Sequence, residues 1–145
     1  MRKKKNLFMI LIVGIAILLH ISFQITFVNG QSMSPTLKDK QIMLVNKLEQ
    51  NYQTNDIIIF KTENYGVCVK RILAENNDTV LLKDGKIYVN DILISPYTCD
   101  TTENETFHLK SGEYFVIGDN YNSSIDSRTY GCIENSSVIG KVIYW

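Results

Sequence analysis

The sequence predicts a mostly antiparallel β domain carried on a single N-terminal membrane helix. Three observations support this prediction. A long apolar run follows a basic N-terminus, short β-branched and aromatic runs fill the remainder, and turn residues separate those runs. With 145 residues the chain has room for one domain. Hydrophobic residues make up 45% and charged residues 21%, which allows a buried core and argues against disorder.

The charge distribution is uneven along the chain. Fifteen Lys and Arg residues balance fifteen Asp and Glu residues, so the net charge is zero. A zero net charge argues against a nucleic-acid-binding protein, because the affinity of such a protein depends on neutralising phosphates. Four of the cations lie within residues 2–5, which leaves eleven cations and fifteen anions, a net charge of −4, in the rest of the chain.

The first element is an apolar segment, residues 7–19, which contains thirteen residues without a polar side chain. At about 1.5 Å per residue it covers roughly 20 Å, so a span of the ~30 Å bilayer core is expected to continue to about Phe23. A cleavable signal peptide is the competing interpretation. The segment that follows, HISFQITFVNG, has no alanine and several bulky residues where a small-x-small cleavage motif belongs. A retained anchor is therefore favoured.

Charge on either side of the anchor gives the topology. Cations precede the span and an acidic chain follows it, which places the N-terminus inside. We predict a cytoplasmic basic N-terminus at 1–6, a transmembrane anchor at 7–23 and an extracytoplasmic β domain at 24–145. The predicted location is the cell membrane, with a single pass.

Strands are predicted throughout the remainder. Polar and apolar residues alternate strictly through 20–28, so the helix is expected to give way to a half-buried strand there. Asp84-Gly85 between two apolar runs is a hairpin signal, and Asn90-Asp91 is a further turn signal. The other β-branched and aromatic runs predict strands at 41–45, 56–60, 66–73, 79–83, 86–94, 106–110, 113–118 and 138–145.

The cysteines allow one internal disulfide at most. Cys68, Cys99 and Cys132 are odd in number, and sequence alone does not give their connectivity. A Cys99–Cys132 pair is one guess among the possibilities.

Three polar segments are candidates for chemistry. The turn GQSMSPTL at 30–37 contains Ser32, the apolar strand VCVKRIL at 67–73 contains Lys70, and the loop GDNYNSSIDSR at 118–128 contains Ser, Asp and Arg. Taken singly, each has an ordinary structural explanation: a plain turn, an edge-strand lysine that prevents aggregation, and a solvated loop.

Taken together, the segments favour a catalytic interpretation. An unprotonated lysine can activate a serine in place of histidine. Lysine acts as a base near neutral pH only if burial lowers its pKa, and an apolar strand beside a membrane would bury it.

With these three segments, the sequence resembles the bacterial type I signal peptidases, in the short form typical of Gram-positive bacteria. QSMSPTL resembles their Ser-Met-x-Pro-Thr-Leu box, VKRIL resembles their Lys-Arg strand, and GDNYNSSIDSR resembles their Gly-Asp-Asn and Ser-x-Asp-Ser-Arg motifs. The order of the boxes, the anchor and the closing VIGKVIYW strand extend the resemblance over nearly the whole chain. The fold it implies is a small antiparallel β barrel or sandwich.

The resemblance also implies catalytic roles. Ser32 would be the nucleophile and Lys70 its general base, and Ser124 would orient the Lys70 amine through a hydrogen bond. The further supporting residues, expected to form one structural ion-pair cluster, are Asp126, Arg128 and Arg71.

Residues 30–33 are implied to form the oxyanion and substrate-binding turn. The backbone N–H of Ser32 would donate to the oxyanion, Gln31 would line the turn and Met33 would pack beneath it. Many members carry a second hydroxyl donor at the position of Gly30. Restoring a serine there is therefore expected to be neutral or modestly activating, unless that glycine requires a positive φ.

The implied function is a membrane-bound serine endopeptidase that removes signal peptides from exported preproteins. Its partners would be the lipid bilayer and preproteins with small residues at the first and third positions before the cut, and it would act as a monomer, without metal, cofactor or nucleic acid. Two alternatives remain. One is a specialised peptidase of the same dyad class for a conjugation or pilus system, and the other is a non-catalytic anchored β module.

Overall fold

The structure is a computed structural model that describes residues 2–98 and 104–144. An N-terminal helix leads into a β domain whose later part contains one short helix. The elements are α1 (Arg2–Ser22), β1 (Phe23–Phe27), β2 (Ile42–Asn46), β3 (Ile57–Thr62), β4 (Gly66–Glu75), β5 (Thr79–Lys83), β6 (Lys86–Val89), β7 (Ile92–Thr98), β8 (Glu105–His108), β9 (Glu113–Ile117), α2 (Ser127–Tyr130), β10 (Ile133–Glu134) and β11 (Val138–Tyr144). Short 3₁₀ turns lie at Tyr121–Ser123 and Asn135–Ser137.

The helix and the first strand meet without a linker. The alternating pattern predicted a strand from residue 20, but helix α1 continues to Ser22, whose hydroxyl donates to the carbonyl of Leu18 at 2.8 Å. The strand begins at Phe23, where β2 first supplies a pairing partner, Asn46. Alternation alone does not make a strand, because the extended chain needs a neighbour for its backbone hydrogen bonds.

The C-terminal residue of α1, Ser22, is buried against the β domain, whereas the large apolar side chains before it are exposed. Those large apolar side chains between residues 8 and 19 that the structure describes are all at least 47% exposed, on every side of the helix. Taken over the residues whose side chains are described, no helix reaches the length and apolarity needed to cross a membrane.

Turn residues end the strands where the sequence predicted. Asp84 and Gly85 have φ values of 51° and 71°, as a two-residue hairpin between β5 and β6 requires. The run predicted as one strand at 86–94 is divided by Asn90 and Asp91, with φ values of 50° and 65°, into β6 and β7. Asparagine, aspartate and glycine adopt this left-handed region at low cost, so these residues set the boundaries.

Two antiparallel sheets form the domain. The larger has the strand order β1-β2-β11-β3-β4-β9-β10 and the smaller has the order β7-β6-β5-β8. The predicted antiparallel β class is confirmed, but a closed barrel is wrong for the described residues, since β1 and β10 are edge strands that do not pair with each other. The larger sheet also has an open edge within it, at the first half of β4. This strand pairs with β3 over residues 66–71 but with β9 only from residue 71 onward.

The hydrophobic core holds the two sheets and the 30–37 turn in place. One cluster joins the far half of β4 and β9 to the small sheet, and consists of Leu73, Ala74, Val80, Leu82, Ile87, Leu109, Phe115 and Ile117. A second cluster lies beneath the 30–37 turn and consists of Val28, Met33, Leu37, Met43, Val45, Ile57, Ile59 and Val142. Met33 and Leu37 of this turn are thus part of the core, and their burial holds the turn against the domain.

Gly140 is required where β11 pairs with β2. A Cβ at this position would lie 2.5 Å from the carbonyl oxygen of Asn46 and 2.8 Å from Cγ1 of Val45. We expect Gly140→Ala to reduce the free energy of unfolding by about 1 to 3 kcal/mol, as overpacking does. Thermal unfolding measures this, with Gly14→Ala as the matched control, since nothing lies within 4 Å of a Cβ there. Equal melting temperatures for the two variants would contradict the close packing.

Candidate active site

The 30–37 turn presents Ser32 at the surface of the domain. The Ser34 N–H donates to the Gln31 carbonyl at 3.0 Å, and the Leu37 N–H donates to the Met33 carbonyl at 2.9 Å. Met33 and Leu37 are 1% and 0% exposed, so their burial anchors the turn. Ser32 therefore lies between an exposed residue and a core residue, with little freedom to move.

Lys70 reaches Ser32 from the middle of β4. Its Nζ donates to Ser32 Oγ at 2.7 Å, although the two residues are 38 positions apart in the chain. Lys70 is only 5% exposed, and two residues of the 118–128 loop, Asp126 and Arg128, lie close enough to influence its amine. The structure brings together the two residues predicted to react.

Burial lowers the pKa of the Lys70 amine from its ordinary value. Cys68 and Asp126 nearby act in the opposite direction and raise this pKa, while Arg128 lowers it. Loss of hydration is the largest of these effects. A lysine in this environment can exist as the neutral amine at a pH where an exposed lysine is an ammonium ion.

The Asp126 carboxylate is occupied by partners other than Lys70. It is fully buried, and it accepts hydrogen bonds from Arg128 Nε and Nη2, each at 2.8 Å, and from the Gly118 N–H at 2.9 Å. Asp126 also caps α2 by accepting from the Arg128 N–H. These hydrogen bonds hold Asp126 rigidly. Because the Arg128 guanidinium neutralises its carboxylate, no unpaired negative charge there would keep Lys70 protonated.

Arg71 does not belong to that ion pair, which corrects the prediction of a single cluster. Its Nε and Nη2 donate to the two oxygens of Asp119 at 2.8 and 2.6 Å, and its Nη1 donates to the Asn55 carbonyl at 2.9 Å. Successive strand residues point to opposite faces, so Arg71 is directed away from the face that holds Lys70. Two separate pairs, Arg71–Asp119 and Asp126–Arg128, brace the site.

Ser124 lies beside the site without the predicted hydrogen bond to Lys70. Its Oγ is buried and has no hydrogen-bond partner among the described residues, since the Lys70 amine donates to Ser32 instead. The hydroxyl packs against Gly118, where an added Cβ would collide with it and would lie 2.5 Å from the Ser32 carbonyl oxygen. Gly118 thus permits the loop to approach the Ser32 turn closely.

Asn120 joins the loop to the Ser32 turn, a contact that sequence analysis missed. Its backbone N–H donates to the Ser32 carbonyl at 2.9 Å, and its side-chain amide donates to the Gln31 carbonyl at 3.1 Å. The Gly-Asp-Asn box was visible in the sequence, but nothing in it indicated which backbone it would bind. These two hydrogen bonds hold the turn in place in addition to the burial of Met33 and Leu37.

The backbone of Gly30 has a positive φ of 97°. Its N–H donates to Asp39 Oδ1 at 2.8 Å, so that group is already engaged. Among the described residues, the N–H of Ser32 has no hydrogen-bond acceptor, which leaves it available to a bound molecule.

A cleft of about 700 Å³ extends from Ser32 and Lys70 along β1 and β4. Its floor is apolar and includes Met43, Ile59 and Ile139. Residues 66–70 of β4 are paired on one side only, and β1 is an edge strand. Two strand edges with unpaired backbone groups therefore border the cleft, as a peptide-binding groove requires.

The cysteines take no part in a disulfide that the structure describes. Cys68 and Cys132 are free thiols, and Cys99, the guessed partner of Cys132, lies outside the described residues. Cys68 is half-buried and lines the cleft next to Lys70.

Comparison with known proteins gives a consistent result. A family model described as signal peptidase, peptidase S26, matches residues 2–145. Signal peptidase I V of Bacillus subtilis is 31% identical, with 79% of this chain and 80% of that protein covered. Signal peptidase I of Bacillus caldolyticus is 33% identical, with 81% and 77% covered. The crystal structure of a signal peptidase I from Enterococcus faecalis is similar with a TM-score of 0.52 and 27% identity, over 64% of this chain and 97% of that one.

The buried amine should lower the stability of the folded domain. Because the folded-state pKa of Lys70 is lowered, the unfolded chain holds more protons between that pKa and the ordinary value of 10.5, so stability rises with pH over this window. We expect Lys70→Met to raise the melting temperature near neutral pH, with a difference that shrinks toward pH 10.5. Thermal unfolding at several pH values measures this. Lys61→Met, at an exposed position on β3, is the control and should show no such trend. A pH-independent difference for Lys70→Met would contradict the buried neutral amine.

Proposed function

The chain belongs to the bacterial type I signal peptidases, of the peptidase S26 family, and we propose that it cleaves signal peptides from exported preproteins through a Ser32–Lys70 dyad at the membrane surface. The observation that carries this proposal is the 2.7 Å contact between Ser32 Oγ and a lysine amine that is 5% exposed. The chemistry needs no group beyond the chain itself and water.

The proposed reaction begins with proton transfer from Ser32 to Lys70. The neutral Nζ accepts the hydroxyl proton as Oγ attacks the scissile carbonyl, and the resulting oxyanion accepts a hydrogen bond from the Ser32 N–H. Lys70 then donates its proton to the departing amine as the C–N bond breaks, which leaves an acyl ester on Ser32. A water molecule, deprotonated by the same amine, hydrolyses this ester and restores both residues.

The two ion pairs support this reaction by rigidity. Arg128 neutralises Asp126, so the carboxylate does not capture the Lys70 amine as an ion pair. Asp119 holds Arg71 at the end of the unpaired part of β4. Both pairs position the strand and the loop that carry the site, without contacting the substrate themselves.

The substrate is proposed to bind as an extended strand in the cleft. A peptide laid between the open edges of β1 and β4 would pair with their free N–H and C=O groups and would close the gap in the larger sheet. Shallow pockets close to Ser32 would take the small residues at the first and third positions before the cut, as the resemblance implies. The dyad and cleft are complete within one chain, so we propose a monomeric enzyme.

Membrane attachment through α1 is part of the proposal. A helix whose described large apolar side chains are exposed on every side is expected to lie in an apolar environment. Continuing from it, Ile25 and Phe27 of β1 and Ile42 of β2 are 70%, 62% and 55% exposed. This face would lie at the bilayer, where the apolar segment of a preprotein also resides.

The dyad is tested by substitution with matched controls. We expect Ser32→Ala and Lys70→Ala to lose several orders of magnitude in cleavage rate. Lys70→Arg should be equally inactive, because a guanidinium does not release its proton. Ser111→Ala and Lys61→Arg, both at exposed positions outside the cleft, should be silent. The assay incubates the detergent-solubilised full chain with a model preprotein and determines the new N-terminus.

The same assay gives the pH dependence. Protonation removes the base, so the cleavage rate of the wild type should fall as the pH drops through the lowered pKa of Lys70. Turnover by Lys70→Arg near the wild-type rate would overturn the dyad and favour a non-catalytic binding module. Cleavage of only one pilus or conjugation substrate would favour the specialised peptidase.

Gly30→Ser is now expected to reduce activity. The positive φ of 97° reverses the sequence-based expectation of a neutral or activating effect, because L-residues rarely adopt this conformation. We expect a loss of about 1 kcal/mol or more in stability of the turn and a lower cleavage rate. Gly112→Ser, with a φ of 79° but away from the cleft, should lose stability without loss of rate in the folded fraction. A gain of rate in Gly30→Ser would show that its hydroxyl completes the oxyanion site.

A further inference from the structure

The peptide unit between Gln31 and Ser32 carries the N–H that the proposed reaction needs. This N–H has no acceptor among the described residues, and it belongs to the same planar trans peptide as the Gln31 carbonyl. In a trans peptide the C=O and the N–H point in opposite directions, so a contact that holds the carbonyl also sets the direction of the N–H. The orientation of the oxyanion donor is therefore decided at the Gln31 carbonyl oxygen.

Two donors converge on that carbonyl oxygen. The Ser34 N–H donates to it at 3.0 Å from within the turn, and the Asn120 side-chain amide donates to it at 3.1 Å from the 118–128 loop. A carbonyl oxygen has two lone pairs, so both of its acceptor positions are occupied. Rotation of the peptide plane would break both hydrogen bonds. Hydrogen bonds to the oxygen also polarise the N–H of the same unit, which makes it a stronger donor.

The backbone around Asn120 is itself held in place. Its N–H donates to the Ser32 carbonyl at 2.9 Å, and its carbonyl accepts from the Ser123 N–H at 2.9 Å. The preceding residue, Asp119, is paired with Arg71 at 2.6 Å. Asn120 thus binds the carbonyls of two successive residues, one through its side chain and one through its backbone.

Asn120 acts on this turn without lining the cleft. Ser123 and Ile125 of the same loop do line it, but Asn120 is not among the described residues that do so. Nor, among those residues, does it belong to the groups that shift the pKa of the Lys70 amine. A change of the Asn120 side chain should therefore leave the cleft walls and the base intact and alter only the Ser32 turn.

We propose that Asn120 is a positioning residue for the oxyanion donor: its side-chain amide fixes the peptide plane that directs the Ser32 N–H at the developing negative charge. This inference rests on the proposed function, because an oxyanion forms only if Ser32 attacks a carbonyl. The substrate carbonyl gains its full negative charge only after that attack, so the contribution belongs to the transition state. Loss of the amide should lower kcat and leave KM unchanged.

Substitution of Asn120 in the detergent-solubilised full chain tests this role. We expect Asn120→Ala, which keeps the backbone N–H, to lower kcat roughly 10- to 100-fold, less than the ~10² to 10³ that removal of a whole oxyanion donor costs. Asn120→Asp has the same shape but places an acceptor against the carbonyl, so it should lose at least as much. Asn120→Gln retains the amide and should recover part of the rate. The acidic limb of the rate profile of Asn120→Ala should stay at the wild-type pH, because the base is unchanged.

Asn90→Ala is the matched control. Asn90 also holds a backbone group with its side chain, since its Oδ1 accepts from the Thr79 N–H at 2.9 Å, but it lies at the small sheet and does not line the cleft. This variant should have a lower melting temperature and an unchanged kcat in the folded fraction. The same result for Asn120→Ala would show a structural role only and would overturn the inference.

The remaining outcomes separate this inference from the proposed function. A loss of rate expressed in KM, or an acidic limb that moves in Asn120→Ala, would overturn the positioning role and leave the dyad intact. If Asn120→Ala does not fold, the comparison of Asn120→Asp with Asn120→Gln decides, and equal kcat values for the two would overturn the role. A wild type that cleaves no preprotein would overturn both proposals.

Discussion

The rest of the structure depends on keeping one lysine amine out of water and against a serine hydroxyl. A buried amine without a partner is costly, and an amine paired with a carboxylate is protonated and inert as a base. The domain avoids both conditions. Lys70 is buried, Ser32 provides a neutral partner, and Arg128 pairs with the Asp126 carboxylate.

This arrangement explains why so much of the loop after β9 is hydrogen-bonded. Asp126 receives the Gly118 N–H, and Ser127 Oγ receives the Val116 N–H, so the loop is fixed to the strand that precedes it. Asn120 then connects it to the turn that carries Ser32. The serine and the lysine come from segments far apart in the chain, and the third segment holds the distance between them.

Sequence analysis anticipated the parts of the molecule that depend on local chemistry. Asp84-Gly85 and Asn90-Asp91 have the backbone preferences of tight turns, so the strand boundaries around them were predictable. Ser32 and Lys70 were chosen as candidates because their motifs are specific in residue type and order, and the structure places their side chains 2.7 Å apart. The features that sequence analysis missed depend on tertiary structure. The partner of Arg71, the environment of the Ser124 hydroxyl and the open edge of β4 follow from how a strand pairs and how a loop folds back, which one-dimensional patterns do not encode.

The absence of a linker between α1 and β1 has a mechanical consequence. The helix ends at Ser22, the strand begins at Phe23, and Ser32 follows after the strand and the first residues of the turn. Ser32 is thus tethered to the helix by ten residues of chain, at most about 35 Å in length, and half of that chain is a hydrogen-bonded strand. With α1 in the bilayer, this short tether would limit the distance between Ser32 and the membrane surface. The bond that is cut would be chosen by its height above the lipid as well as by its side chains.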